Sequence, residues 1–322
     1  MVERLLLFWF LVISGIALYG PEGTQEMFAL VPKANLPWLV FVAMFFIGAM
    51  LPRDEVQSVA RQWPAVLSGT AVQYLSMPIL GYTMGRLFQL DDDNFIGIVM
   101  VGCVPGAMAS NVLTLNARGN ASYSVGLTSL ATMLSPLVVP IALGLALQRW
   151  DPAQLSLLLN SAVTLAWSVV LPVILGFATS QATERGARLL ERIGPTIANL
   201  MILWVIGAVI AANRANLQEF RWNVVAALTC VNLLGYVAGY IGGVLLRLDE
   251  PMRRALTIEV GMQNAGLGAT LALVLFPQQP AVAIAPALFM FGCMLSGTIL
   301  AHAWAWADAL RAGKIAEREI ST

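Results

Sequence analysis

Apolar runs of about twenty residues recur from one end of the chain to the other, separated by short stretches of charged residues, proline or turn formers. A helix of about twenty apolar residues is long enough to cross the hydrocarbon core of a bilayer. Only 11% of the residues are charged, whereas soluble domains carry about a quarter. The sequence therefore predicts an all-α, multi-span membrane protein and argues against a soluble multidomain enzyme.

Ten predicted spans result when the 322-residue chain is divided at its charge, proline and turn clusters. They cover residues 4–20, 36–51, 64–88, 94–117, 121–148, 154–180, 195–213, 222–246, 251–276 and 281–309. The first resembles the apolar core of a signal peptide, but Ile16 to Tyr19 offer no small-x-small cleavage pattern. We therefore interpret it as a retained span. The charged run from Glu184 to Arg192 is interpreted as a cytoplasmic linker.

Lysine and arginine are distributed unevenly when the connections between spans are assigned alternately to two sides. One side receives thirteen of them: Arg4, Arg53, Arg61, Arg118, Arg185, Arg188, Arg192, Arg247, Arg253, Arg254, Arg311, Lys314 and Arg318. The other side receives five: Lys33, Arg86, Arg149, Arg214 and Arg221. By the positive-inside rule, this bias places both termini in the cytoplasm and favours an even number of spans.

The net charge, the cysteine and histidine positions and the motifs of the chain argue against several functional classes. Its formal net charge is zero and no basic cluster interleaves with aromatic residues, so the sequence suggests no nucleic-acid partner. Cys103, Cys230 and Cys293 lie in separate apolar segments, and the single histidine completes no zinc-ligand spacing. The HExxH and GxSxG patterns of membrane-embedded hydrolases are absent from the sequence. We therefore do not expect an enzyme.

An internal repeat relates the two halves of the chain. The stretch Gly81–Asp92 matches Gly239–Glu250 at both glycines of a small-xxx-small pair, the tyrosine, two leucines and the acidic end. The copies close the third and eighth spans, so residues 1–150 and 151–322 each hold five spans. An odd number of spans per half inverts the second half in the membrane. Convergent glycine pairs for helix packing are the alternative interpretation.

Each half also carries a polar, glycine-containing break in its fourth span. The first break is Pro105–Asn111 and the second is Glu259–Leu267. Proline removes a backbone donor, and glycine lowers the cost of unwinding. Paired interrupted spans in inverted halves indicate a transporter binding site near the bilayer midplane. Two independent kinks in ordinary helices are the alternative.

The breaks have a predictable chemistry. An unwound helix exposes carbonyl oxygens, which suit hard cations, and amide N–H groups, which suit an anion. Glu259 adds a fixed negative charge, and oxygen ligands without cysteine or histidine favour a hard ion. Ser124 and Thr128 lie four residues apart on one helix face, and Gln73 is an amide within the third span. Helix packing and a structural interhelical hydrogen bond are the alternative roles for these three residues.

The two breaks together resemble motifs of the bile acid:sodium symporter family. The matching stretches are Ala109–Val112, Ala117–Asn120 and Glu259–Asn264. The resemblance implies ten transmembrane helices arranged as two inverted five-helix repeats, with two discontinuous helices that cross in a core domain. The core would comprise about residues 64–148 and 222–309, and a panel domain about 4–51 and 154–213. A bacterial member would lie in the inner membrane.

The resemblance also implies ligand sets for two transported sodium ions. One ion would bind Ser110, Asn111, Ser124, Thr128 and Glu259. The second would bind Gln73, Glu259, Gln263 and the backbone carbonyls of Val260 and Met262. No organic cofactor and no protein partner is expected, and the protein would function as a monomer in the lipid bilayer.

Charge balance narrows the substrate that such a site would take. Two sodium ions and one glutamate leave an excess of +1, which is costly in a low-dielectric site unless a monovalent organic anion neutralises it. Its carboxylate is expected near Ala109, Ser110 and Asn264. Met108 and Cys293 replace polar groups of some relatives, which makes this cavity more apolar.

The resulting expectation is sodium-coupled symport of an organic anion by alternating access. The anion would be bile-acid-like or a small carboxylate such as pantoate. A sodium-independent carrier or a channel-like uniporter of the same fold is the alternative.

Overall fold

The computed structural model of the protein describes residues 6–32, 35–51, 62–147, 152–182, 184–214 and 221–320. The described residues fold into α-helices joined by short connections. Their bounds are Leu6–Tyr19 (α1), Glu22–Ala29 (α2), Leu36–Ala49 (α3), Trp63–Leu87 (α4), Asp92–Cys103 (α5), Ala109–Asn116 (α6), Ala121–Leu147 (α7), Pro152–Leu165 (α8), Leu171–Ala182 (α9), Glu184–Ala212 (α10), Trp222–Leu245 (α11), Glu250–Gly261 (α12), Ala265–Leu275 (α13) and Ile284–Ile320 (α14). A π-helical stretch, Ala166–Val170, joins α8 to α9, and a 3-10 turn, Pro280–Ala283, precedes α14.

Five helical stretches are long and apolar enough to cross a membrane by length and composition. They are Ala121–Leu147, Leu158–Ala182, Arg192–Ala212, Trp222–Leu245 and Pro280–Arg311. Shorter apolar helices cover Phe8–Tyr19, Leu36–Ala49 and Ala265–Leu275. The prediction of an all-α integral membrane protein is confirmed.

The structure corrects three boundaries of the predicted spans. The charged run Glu184–Arg192, expected to be a linker, forms the first turns of α10, and the helix continues through Pro195. The helix of the last predicted span runs on to Ile320. An eight-residue helix, α2, follows the first span where none was expected. Arg4, Lys33, Arg53, Arg61 and Arg149 of the lysine and arginine tally lie outside the described residues.

The two copies of the sequence repeat end in turns of the same geometry. Gln89 after α4 and Arg247 after α11 both adopt positive φ, at 49° and 56°. In each copy the following leucine donates its backbone N–H to a glycine carbonyl five residues earlier, Leu90 to Gly85 and Leu248 to Gly243. This is the closing bond of a Schellman turn.

The residue after each turn then caps the next helix. Asp91 accepts from the Asn94 backbone N–H and Asp249 from that of Met252. Both aspartates have extended backbone angles, as a helix N-cap requires. The same series of a helix end, a leucine and an aspartate N-cap therefore occurs in both copies of the repeat.

Both predicted breaks interrupt their helices, and the two interruptions bond to each other. α5 ends at Cys103 and α6 begins at Ala109, whereas α12 ends at Gly261 and α13 begins at Ala265. Between them Gly106 and Gln263 form an isolated antiparallel bridge. The backbone N–H of Ala107 donates to the Met262 carbonyl at 2.9 Å, and that of Asn264 donates to the Pro105 carbonyl at 2.8 Å.

The mutual pairing explains why two unwound segments persist in an apolar protein. A backbone group without a hydrogen-bond partner costs several kcal/mol in hydrocarbon. This is about the loss of stability caused by replacing a large buried side chain with alanine. α5 packs on α13, and α6 packs on α12, so each half-helix has its partner on the same side of the bridge.

Three apolar clusters surround this crossing. One is built from α4 to α7 and α11 to α14, with residues such as Met77, Leu127, Val231 and Leu256. A smaller one joins α1, α2 and α10 through Phe10, Phe28 and Ile206. The third connects the two sets: α3, α8, the π-helical stretch, α9 and α10 pack on α5, α7 and α13.

Candidate functional site

A fully buried carboxylate lies at the crossing of the interrupted helices. Glu259, on the last turn of α12, has no exposed surface. Ser110, on the first turn of α6, donates its hydroxyl to Oε2, and Thr128, on α7, donates its hydroxyl to Oε1 at 2.8 Å. Two helices thus bring hydroxyl groups to a carboxylate that a third helix carries.

Two more predicted residues join this group. The Ser124 hydroxyl on α7 donates to Asn111 Oδ1 at 2.8 Å, and the Thr128 hydroxyl lies 3.4 Å from the same oxygen. Ser110 and Asn111 are neighbours on α6, while Ser124 and Thr128 are one turn apart on α7. The structure therefore brings together all five side chains predicted for the first ion, which we call the Glu259 cluster.

The electrostatics of the cluster are unusual for a buried acid. Among the described residues, the ion pairs join Arg221 to Asp91, Arg254 to Glu250 and Asp308, and Arg311 to Asp308. None involves Glu259, whose described hydrogen-bond partners are hydroxyls. A buried charge is stable only when it is paired or coordinates a cation. Carboxylate, amide and hydroxyl oxygens are the ligands that hard cations take.

A second polar group lies beside the first and includes the predicted amides. The Gln73 side chain on α4 donates through Nε2 to Gln263 Oε1 at 3.2 Å. Gln263 Nε2 donates to the Val260 carbonyl at 2.8 Å, and the Met262 carbonyl accepts from Ala107. Gln73 Oε1 is buried and has no hydrogen-bond partner within the described part of the chain. Buried amide oxygens are nearly always hydrogen-bonded, so this oxygen is able to accept a further bond from a donor or a cation.

Asn264 occupies the other end of the second break. It is the N-cap of α13, and its Oδ1 accepts from the Leu267 backbone N–H at 3.1 Å. It also lines a small cavity between α3, α10 and the start of α13. The other residues of the lining are Leu39, Val40, Ala43, Met44, Met201, Ile202, Val205, Gly266 and Leu267. Asn264 therefore supplies the polar side chain of an otherwise apolar space.

The remaining predicted substrate contacts are placed differently. Met108 and Ala109 lie at the start of α6, outside the lining of this cavity. Ser110 belongs to the Glu259 cluster, and its backbone N–H already donates to the Ala107 carbonyl at 3.0 Å. Cys293 is buried within α14, where its thiol donates to the Met290 carbonyl at 3.4 Å.

Two polar groups were missed by sequence reasoning. Asn232 on α11 donates through Nδ2 to the Gly261 carbonyl at 2.8 Å and accepts from Ser296 on α14 at 2.6 Å. It thereby holds the carbonyl at the end of α12. Thr114 on α6 donates to Ser124 at 3.2 Å. Asn232 is an amide within an apolar span, the same signal that identified Gln73.

Comparison with known proteins gives a consistent set of relatives. The model of the Sodium Bile acid symporter family matches residues 37–220. The uncharacterized sodium-dependent transporter YocS of Bacillus subtilis (strain 168) is 32% identical over 264 residues, which cover 82% of this chain and 80% of that protein. The probable chloroplastic sodium/metabolite cotransporter BASS1 of Arabidopsis thaliana is 28% identical, covering 82% and 65%. The ileal sodium/bile acid cotransporter of Homo sapiens is 26% identical, covering 82% and 76%.

Proposed function

Because the chain belongs to the sodium bile acid symporter family, we propose that it is a secondary active transporter that carries a small organic anion together with sodium ions. Its relatives are named as transporters or cotransporters rather than enzymes. The observation that carries the proposal for this chain is the Glu259 cluster, a buried carboxylate among hydroxyl and amide oxygens with no described cationic side chain in an ion pair with it.

One sodium ion would bind within the Glu259 cluster. Its ligands are the oxygens of Ser110, Asn111, Ser124, Thr128 and Glu259, which hydrogen bonds already hold close together. A bound cation would replace the hydroxyl protons as the partner of the carboxylate. The stabilisation comes from compensating a buried charge, which is otherwise strongly unfavourable.

A second sodium ion would bind between α4 and the second break. The unpartnered Gln73 Oε1 supports this assignment, together with Gln263 and the carbonyls of Val260 and Met262. Val260 and Met262 currently accept hydrogen bonds, from Gln263 and from Ala107. Binding of the ion would therefore reorient the Gln263 amide so that its oxygen, rather than its nitrogen, faces the site.

The organic anion would bind at the start of α13. A helix N-terminus favours an anion because its first N–H groups carry the positive end of the dipole. Asn264 and the apolar cavity beside it would receive the carboxylate and the body of the substrate, respectively. Two sodium ions, one glutamate and one monovalent anion balance to zero. Contacts of the anion with Met108, Ala109, Ser110 and Cys293 remain predictions.

Alternating access would come from motion between two layers of an inverted-repeat fold. The identical turns after α4 and α11 support two related five-helix halves, residues 1–150 and 151–322, which would give ten spans in all. The core would hold α4 to α7 and α11 to α14, the helices that build the apolar cluster around Glu259. The panel would hold α1, α3 and α8 to α10. Both termini would face the cytoplasm of a bacterial cell, with the transporter working as a monomer in the inner membrane.

The position of the third apolar cluster suggests on which side of the bridge the panel would contact the core. Its members on α5 and α13 lie on one side of the bridge between the breaks. The panel would therefore contact the core on that side, and the cluster would have to open for the substrate to leave there. By the predicted orientation, that side would be the outer one, and this arrangement of the helices would then be closed to the outside.

Transport by purified protein in liposomes tests the proposal. An inward sodium gradient should drive accumulation of a monocarboxylate from a panel of aliphatic, hydroxylated, 2-oxo and bile acids. Replacing sodium with choline or potassium at constant pH should abolish it. Since two sodium ions and one monovalent anion carry a net charge of +1, an inside-negative potential should accelerate uptake.

The controls separate the alternatives. Uptake that is equally fast in choline would identify a sodium-independent carrier. Flux that only equilibrates the anion, without accumulation under a sodium gradient, would identify a channel-like uniporter. Accumulation that does not change with the membrane potential would contradict the proposed charge balance but would leave sodium coupling intact.

A further inference from the structure

Thr114 is a buried threonine beside the Glu259 cluster whose hydroxyl bond differs from those of most other helical threonines. Threonines within helices commonly donate to the carbonyl four residues earlier. Among the described residues, Thr179, Thr229, Thr257, Thr270 and Thr298 bond in this way, and Thr128 does so in addition to its bond with Glu259. Thr114 has no exposed surface, yet its hydroxyl leaves α6 and reaches Ser124 on α7 at 3.2 Å.

The bond to Ser124 sets the direction of a hydroxyl chain. Thr114 donates to the Ser124 oxygen, and the Ser124 hydroxyl donates onward to Asn111 Oδ1 at 2.8 Å. A serine hydroxyl has one proton and two lone pairs. With the proton directed to Asn111 and one lone pair accepting from Thr114, one lone pair of Ser124 is left for a cation.

We propose that Thr114 is a positioning residue for the sodium ion of the Glu259 cluster, which it orients through Ser124 without touching the ion. The proposal rests on the proposed function. Thr114 and Asn111 are three residues apart on one face of α6, so the same helix supplies an ion ligand and the group that orients the partner ligand on α7. Groups that orient the ligands of a bound ion commonly contribute about tenfold or more to its affinity.

The test is a sodium titration of thermal stability in detergent, without substrate and at constant ionic strength with choline as the replacement ion. A ligand that binds only the folded state raises its stability in proportion to the logarithm of its concentration over Kd. Thr114→Val keeps the branched shape and removes the hydroxyl. We expect its apparent sodium affinity to fall about tenfold, with stability in choline close to that of the wild type.

Two companion variants distinguish orientation from packing. Thr114→Ser keeps the hydroxyl and should retain most of the sodium affinity of the wild type. Thr257→Val removes a buried hydroxyl that bonds only within its own helix, to the Arg253 carbonyl, and should leave sodium affinity unchanged. If Thr114→Val does not fold, Thr114→Ala and Thr114→Ser provide the same comparison of absent and present hydroxyl.

The outcomes separate this proposal from the proposed function. If sodium does not stabilise the wild-type protein at all, sodium binding itself is wrong. If sodium stabilises the wild type and Thr114→Val equally, only the role of Thr114 is wrong. Equal losses in Thr114→Val and Thr114→Ser would also overturn it, because Thr114→Ser keeps the hydroxyl to which the proposal assigns the effect.

Discussion

The second half-helices of the two breaks, α6 and α13, follow the same kind of interruption but differ in composition and neighbours. α6 carries Ser110, Asn111 and Thr114 and packs on α7, α12 and α14. α13 is almost entirely apolar and packs on α3, α8 and α10 as well as on α14. One half-helix directs polar side chains inward to Glu259, whereas the other presents its N-terminus to an apolar cavity between layers.

The contrast indicates that the two breaks have different tasks. Under the proposed function, side-chain oxygens of α6 would complete a site for a cation. The start of α13 offers a capped N-terminus and apolar surroundings, which suit the carboxylate and the body of an organic anion. A backbone break thus serves in one case to place side chains and in the other to expose a helix end.

Neutralising Glu259 should give the largest effect, and it should act on sodium binding rather than on the anion site at the start of α13. Glu259→Gln preserves shape and removes the charge that two ions would share. We expect sodium-dependent thermal stabilisation and sodium-driven uptake to be lost. The matched control is Asp92→Asn, which removes an exposed carboxylate outside the cluster and should change neither measurement. Unchanged sodium affinity in Glu259→Gln would remove this residue from both proposed ion sites.

Placing a charge at the N-cap of α13 should affect the anion side instead. Asn264→Asp keeps the capping oxygen, because aspartate is as good an N-cap as asparagine. It adds a negative charge beside the cavity, which should repel the anion. KM for the anion should therefore rise by about tenfold or more, which corresponds to a repulsion of about 1.4 kcal/mol or more. Sodium affinity without substrate should remain near the wild-type value. An equal loss of sodium affinity would show that the two tasks are not separable.

Two glycine substitutions should have smaller effects, and only one of them should weaken sodium binding. A Cβ at Gly106 would collide with the Glu259 carboxylate, whereas one at Gly268 on α13 would meet Pro286 at 3.4 Å and Val104 at 3.6 Å, which is ordinary contact. Gly106→Ala should therefore weaken sodium binding about tenfold, as expected for a displaced ligand. Gly268→Ala should bind sodium normally and gain up to about 1 kcal/mol in stability from helix propensity.

Sodium titration of the melting temperature of both proteins provides the measurement. If Gly106→Ala and Gly268→Ala behave alike, the close approach of the first break to Glu259 has no functional role.

Much of the local structure could be predicted from the sequence because the signals were short-range. Proline and glycine predicted the first break, and the structure interrupts the helix at those residues. Asn264, expected near the carboxylate of the substrate, is the N-cap of α13. The predicted ligands of the Glu259 cluster were assigned by resemblance, and their proximity in the structure agrees with it, while their role as ligands stays a prediction.

The features that the sequence did not predict depend on contacts between distant segments. Pro195 suggested a helix start, but α10 begins eleven residues earlier, at Glu184, because a helix in an apolar setting tolerates an interior proline when neighbouring groups satisfy the freed backbone. The Thr114 bond reaches another helix, which spacing along α6 does not encode. The Ser110 backbone N–H, expected to be free for substrate, is used within its own turn.

The bridge between Gly106 and Gln263 makes the two breaks mutually dependent over evolutionary change as well as in the folded protein. A mutation that restored a continuous helix at the first break would strand the Met262 carbonyl and the Asn264 N–H, and one that restored it at the second break would strand the Pro105 carbonyl and the Ala107 N–H. Neither interruption can therefore be gained or lost alone without a large penalty. A designer who wished to simplify this scaffold would have to rewrite both segments in a single step.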